Sequence, residues 1–357
     1  MQQVEVNRSN PAETRLVTCD LPPLGDGEVR LAIESFSVTA NNVTYAVMGE
    51  AFRYWDFFPA TDPARGIVPM WGHARVTESR HPDIAVGERF YGYLPMADTL
   101  DVLPGKVTPA GFADMAAHRQ PMSPIYNQYS RLAADPEHDP AREGERMIYA
   151  PLFKTGFLIE YFLRGEDWFG AGQLVVTSAS SKTALSLASV ARDRSPHIRR
   201  IGLTSAGNVA FVAASGLYDD VLPYEQVEAI ARAPSVAVDF AGNGALLHRI
   251  HAHLGDALRH SSLVGATHVE ARGSGGQAMP GPAPVLFFAP DHAVALFKAV
   301  GPQEAGRQMA ASWRGFLAAV GDAVVIEKIG GLDAAAERFS AMAAGTIGPA
   351  KGIVVEP

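Results

Sequence analysis

Cysteine is almost missing from this chain: 357 residues carry one, Cys19. A single thiol excludes an internal disulfide framework and any multi-cysteine metal cluster. A reduced, cytoplasmic setting is therefore expected. Excess positive charge is missing as well, since 38 acidic side chains outnumber 30 basic ones. That balance disfavours nucleic acid or an anionic membrane as a partner, though it still allows a local basic cleft; the expected partner is a small-molecule substrate. No run is apolar enough to span a bilayer; the best window, residues 170–191, contains Gln173, Lys182 and several serines. Met1 to Asn7 is polar and lacks the apolar core of a secretory leader. Three catalytic signatures are absent too. There is no Gly-x-Ser-x-Gly nucleophile elbow, no Gly-x-x-x-x-Gly ahead of Lys182-Thr183 to make a P-loop, and no distinctive carboxylate pair.

What the chain does contain changes texture twice. Up to about Arg146 it reads as short strands between Pro- and Gly-rich turns. Glu28 to Glu34 alternates apolar and polar residues, and Gly72 to Glu78 and Gly87 to Tyr93 read as further strands. From Pro151 onward, strands alternate with helices. The strand-like runs are Gln173–Thr177, Ile198–Thr204, Asp220–Leu222, Ser235–Phe240, Ser261–Ala266 and Pro284–Phe288. Between them, Lys182–Arg192, Val209–Ser215 and Leu246–Leu254 have helical periodicity. That alternation predicts a parallel sheet covered on both faces, with ligands at the C-terminal strand ends. The first texture then returns in the strand Val324–Ile329, the helix Leu332–Ala344 and the strand Lys351–Glu356. The expected fold is α/β: a Rossmann doubly wound sheet, residues 150–300, inserted in a β-rich domain of residues 1–149 plus 301–357.

The order of landmarks resembles the medium-chain dehydrogenase/reductase superfamily, especially its zinc-free quinone and enoyl reductase branch. Gly27 to Val38 is similar to its early strand, Gly87 to Gly92 to its Gly-Asp-Arg-Val turn, and Ala110 to Met115 to its Gly-Gly-Phe-Ala-Glu-Tyr landmark. Gly216 to Tyr224 and Val238 to Gly242 match later passages. The wording Ser180-Ser-Lys-Thr-Ala184 with Tyr126-Asn-Gln-Tyr129 resembles a narrower branch, the domain-of-unknown-function family 2855. The resemblance implies a GroES-like β-rich domain, a nicotinamide dinucleotide as cofactor, and a homodimer paired through the Rossmann sheet edge.

In this superfamily three glycines shape the turn after the first parallel strand; here they fall on Ser178, Ser181 and Ala184. Two readings follow. Either Ser178, Ser180, Ser181, Lys182 and Thr183 hold the diphosphate with side-chain donors, or binding is lost and the turn merely packs. The end of the second strand, Leu203 to Asn208, carries no carboxylate to repel a 2′-phosphate. Thr204, Ser205 and Asn208 can donate to one and Lys182 can neutralise it, so NADPH is the expected form. The resemblance also places Gly242, Gly265 and Phe288, near later strand ends, beside the dinucleotide.

The zinc-dependent members use a cysteine in the segment here written Ser35 to Asn42, and none is present. Gly72-His73 echoes a zinc-ligand motif, but Ala74 follows, so His73 reads as structural or exposed and no zinc is expected. A metal-free reductase needs a dry pocket and a donor to the oxygen that gains charge. Candidates are Asn42, Tyr45, Tyr126 and Lys154, with Tyr45 the first choice as proton donor. Thr39, Tyr54, Trp55, Phe57 and Trp71 form either a substrate wall or a core. The expected activity is reduction of a carbonyl, enone or quinone; the alternative is a non-catalytic nucleotide-binding or scaffold protein that keeps the fold.

Overall fold

A computed structural model describes residues 1–264, 279–320 and 323–357. The chain forms two units, Met1–Ala150 with Val325–Pro357, and Pro151–Val324. The return to the first unit falls after Val324 rather than at residue 301, because helices Ala289–Val300 and Pro302–Val320 extend the second unit. Trp313 and Phe316 on the latter helix bury their rings against Phe153.

Among the described residues of the second unit, six strands run parallel. Their spatial order is Asp220–Pro223, Arg199–Thr204, Gln173–Val176, Ser235–Asp239, Leu258–Val264, Val285–Phe287. Numbered by sequence this is 3-2-1-4-5-6, the Rossmann order, and its reversal lies between Gln173–Val176 and Ser235–Asp239. Strands covered on both faces need no polar alternation, and every residue of Gln173–Val176 and of Ser235–Asp239 is buried. Val175, Ile201, Leu203, Ala237 and Ile250 form part of one core. Helix Lys182–Arg194 starts on the side chain of Ser181 and ends with Arg192 and Arg194, cations suited to a helix C-terminus.

The first unit holds a nine-stranded and a three-stranded sheet. Strand Val29–Val38 pairs antiparallel with Pro69–Ser79, which pairs with Arg89–Pro95. On its other edge lies Lys351–Glu356, itself parallel to Val325–Gly330. The expected alternation of the first strand appears as buried Val29, Leu31 and Ile33. Several elements escaped the sequence reading, among them Asn10–Thr18 and the helices Ala289–Val300 and Pro302–Val320. Gln2–Asn7, polar by composition, is a strand whose Val4 and Val6 are fully buried, and Ala40–Val47 is a helix.

Candidate functional site

The bend after the first parallel strand begins with a tie between neighbouring strand ends. Thr177 Oγ1 donates to Asp239 Oδ1 and accepts from the backbone N–H groups of Phe240 and Ala241 at 2.9 and 3.1 Å. Ser178 then takes φ +50°, the left-handed region that glycine adopts freely. For an L-residue this costs about 1–2 kcal/mol. Its carbonyl accepts from Ser181 N–H at 2.8 Å, and Tyr224, whose phenol burial pushes up, hydrogen-bonds with Ser178. Ser181 caps the helix by accepting from Ala184 N–H at 3.3 Å, and Ala184 is fully buried. Of the three positions, Ser178 has a left-handed dihedral, Ser181 caps the helix and Ala184 is buried in it.

The hydroxyls are largely used inside the fold. Ser180 Oγ accepts from Asn208 Nδ2 at 3.2 Å and Thr204 Oγ1 at 3.4 Å, which joins the bend to the end of the second strand. Thr204 is buried, whereas Ser205 is exposed and Asn208 half-buried. Thr183 is half-buried on the first turn of the helix. Lys182, also there, is pushed down to about 8 by burial. Tyr218, which the sequence reading missed, donates to Ala179 O at 3.3 Å and crowds Gly202. Gly242 turns with φ +67° after the fourth strand, and Phe288 directly precedes helix Ala289–Val300. Gly265 lies outside the described residues.

This cradle fits a diphosphate. The backbone conformation needed for close approach is present at Ser178, a helix N-terminus follows it, and a desolvated ammonium sits on the first turn. No carboxylate occupies Leu203 to Asn208.

In the first unit, an aromatic cluster gathers around Tyr45. Its ring centroid is 4.7 Å from Tyr54, 5.4 Å from Tyr93 and 6.4 Å from Tyr126. Phe57 and Trp71 pack on Tyr93 at 5.2 and 5.1 Å. Tyr45 Oη accepts from Asn41 Nδ2 at 2.6 Å and Trp71 Nε1 at 3.1 Å, and burial pushes its phenol upward. Under the cluster, buried Arg119 donates to Asp114 at 2.8 Å, to Tyr129 Oη at 2.9 Å and to Tyr126 O at 2.8 Å. Its guanidinium carbon lies 5.1 Å from the Phe58 ring centre and 5.5 Å from that of Phe57. Nothing in the sequence marked Arg119 or Tyr93; a basic residue in a turn gives no periodic signal.

Four expected residues take other places. Asn42 Oδ1 accepts from Thr39 N–H and Oγ1 at 2.7 and 2.9 Å, and its Nδ2 donates to Pro69 O at 2.9 Å. Both Asn42 and Thr39 are spent on starting helix Ala40–Val47, which removes them as donors to a substrate. Trp55 is core: a methyl group at Gly49 or Gly66 would come within 1.9 or 2.2 Å of its ring. Lys154 is exposed and belongs to the second unit.

His73 is neither exposed nor conventionally structural. It is fully buried, and neither ring nitrogen has a hydrogen-bond partner among the described residues. Burial pushes it down to about 3, so it is neutral. Glu143 nearby is held at about 2: burial works against its charge, but hydrogen bonds from Arg89 and His138 outweigh that. Among the described residues no group of three His, Cys, Asp or Glu side chains is placed to hold a metal ion. None of the described helices is long and apolar enough to cross a membrane.

Comparison with known proteins gives the same architecture. The family described as "Protein of unknown function (DUF2855)" matches residues 36–348. Among solved structures, CurA from Vibrio vulnificus in complex with NADPH aligns with TM-score 0.61 and 15% identity, over 100% of this chain and 99% of that one. The yhdH oxidoreductase from Salmonella enterica in complex with NADP aligns with TM-score 0.54 and 14% identity, over 100% of both chains. A probable oxidoreductase from Mycobacterium abscessus gives 0.55 and 15%, over 100% and 99%. No curated protein matches the sequence. At these identities the likeness concerns fold alone, and the fold is that of the medium-chain dehydrogenase/reductase superfamily.

Proposed function

We propose that this chain, which belongs to the DUF2855 family, is an NADPH-dependent reductase of a carbonyl, enone or quinone that works without zinc. One observation carries the reading: Ser178 holds the left-handed conformation of the missing glycine, although a relaxed alternative would cost a serine less. Five other described non-glycine residues also take positive φ, so what singles out Ser178 is its place between the first parallel strand and a helix N-terminus, where a diphosphate would sit. Two of the structural neighbours were solved with NADPH or NADP, which supports the same cofactor.

When bound, NADPH supplies a hydride for an electrophilic carbon. The rest falls to the chain. The bend and the first turn of helix Lys182–Arg194 receive the diphosphate. Lys182, with Ser205 and Asn208, meets the 2′-phosphate, while Ser180 and Thr204 brace the loop from behind. Tyr54, Phe57, Trp71 and Tyr126 wall a water-poor pocket beside Tyr45. Tyr45 is the proton donor of this reading. Its oxygen accepts two hydrogen bonds, which stabilise the phenolate left behind and leave its own proton to give.

The scaffold reading has one observation in its favour, the internal use of the Ser180 and Thr204 hydroxyls. Fluorescence titration separates the two. The reductase reading expects saturable NADPH binding, tighter than NADH by about tenfold or more. No saturable binding of either coenzyme overturns it.

A further inference from the structure

The first unit contains a second polar cluster, and its hydrogen-bonding capacity is unspent. His73 and Tyr91 are directly paired across antiparallel strands, so their side chains share one sheet face; their ring centroids are 5.3 Å apart. Ser35 pairs with His73 from the other side. The first turn of helix Glu143–Gly165 covers this face: Ser37 Oγ donates to Met147 O at 2.8 Å, and the Arg146 guanidinium lies 4.4 Å from the Tyr91 ring centre.

Three side chains here are more than nine-tenths buried and hold polar atoms with no partner among the described residues: both nitrogens of His73, Tyr91 Oη and Arg146 Nη1. A buried polar atom left without a hydrogen-bond partner is costly. Such a concentration at one point calls for an explanation.

The charges around it decide the kind of ligand. Arg146 is already paired with Asp135, and Arg89 with Glu34 and Glu143. His138 Nε2 is spent on Glu143 at 2.8 Å. Asp135 and Glu137 also act on Tyr91. A carboxylate or phosphate entering here would face those carboxylates. Neutral His73 offers one N–H donor and one acceptor nitrogen; its N–H, the Tyr91 hydroxyl and one Arg146 N–H are unspent donors matched to a neutral oxygen acceptor.

We propose that His73, Tyr91 and Arg146 form a subsite for the uncharged carbonyl oxygen of the substrate. This rests on the reductase reading above and deepens it. Trp71 connects the subsite with the proton donor, since it stacks on Tyr91 at 5.7 Å and donates to Tyr45. Oxygen is thus received by one set of residues and the proton given by another. An enone uses both: reduction adds a hydride at the β-carbon and a proton at the α-carbon, the C=C bond is consumed, and the oxygen carries the negative charge in between. Preorganised buried donors are well suited to that charge.

The test uses full-length protein with 15N-labelled histidine rings, with the His73 signals assigned by loss in His73→Gln. Isobutyramide, an unreactive uncharged carbonyl, is titrated with and without NADPH, and acetate in parallel. The subsite predicts a saturable shift of the His73 nitrogens by the amide, little by acetate, and an amide affinity lowered about fivefold in Tyr91→Phe. That variant removes one hydroxyl and leaves the ring, so folding is preserved. An unmoved His73, a stronger response to acetate, or an unaltered Tyr91→Phe overturns the subsite. NADPH affinity is measured on the same samples. A protein that binds the amide at His73 but no NADPH keeps the subsite and loses the reductase reading; NADPH binding with a silent His73 does the reverse.

Discussion

The serine bend of the second unit and the tyrosine cluster of the first use polar residues in opposite ways. At the bend the side chains are spent on one another, and together they hold the Ser178 backbone at φ +50°. In the cluster the backbone only delivers rings and hydroxyls, which pack on one another. The first arrangement should tolerate a change of residue that respects a dihedral angle. The second should tolerate almost no truncation.

The largest effect is expected beneath the cluster. Arg119→Ala leaves Asp114 as an unpaired buried charge and unseats the Phe57 and Phe58 rings. Urea unfolding should show a loss of about 3–5 kcal/mol, and a stability unchanged within error would mean the cluster stands without its arginine. Next comes the bend. Ser178→Gly should stabilise by about 1 kcal/mol and keep NADPH binding, while Ser178→Val, β-branched at a positive φ, should weaken binding about tenfold or more. If the two variants bind alike, the dihedral is not what matters there.

A pH series sharpens the same contrast. Lys182, held at about 8 by burial, is charged below that value and neutral above it. NADPH affinity should therefore fall several-fold from pH 7 to 9, and Lys182→Met should flatten that slope. An unchanged slope in the variant removes Lys182 from the phosphate. The smallest effect is Ser180→Ala, which deletes the brace to Thr204 and Asn208 for about 1 kcal/mol; calorimetry would register it as a slight drop in Tm with coenzyme binding retained.

Legibility in the sequence followed periodicity. The parallel strands are buried runs and their helices amphipathic, so Gln173–Val176 and Lys182–Arg194 stood out at nearly their true bounds. The bend was readable by position, although its conformation was not, because no residue name reveals that a serine has adopted a glycine's angle. Gln2–Asn7 was missed since only Val4 and Val6 betray its buried side. Asn42 was read as a substrate donor because a capping asparagine and a catalytic one look the same until the bond to Pro69 O is seen. His73 was set aside for lack of metal-binding neighbours, an argument about ligands to zinc that says nothing of burial. Its significance depends on three strands and one helix turn, a purely tertiary fact.

Strand Lys351–Glu356 lies between Val29–Val38 and Val325–Gly330, so the β-rich unit is stitched from segments some three hundred residues apart in sequence. The parallel unit between them is contiguous. During synthesis the parallel unit is complete while its neighbour still waits for its sealing strand, and the ribosome thus imposes an order of assembly. The Val29–Val38 edge is the surface left open longest, and a chaperone would have most to protect there.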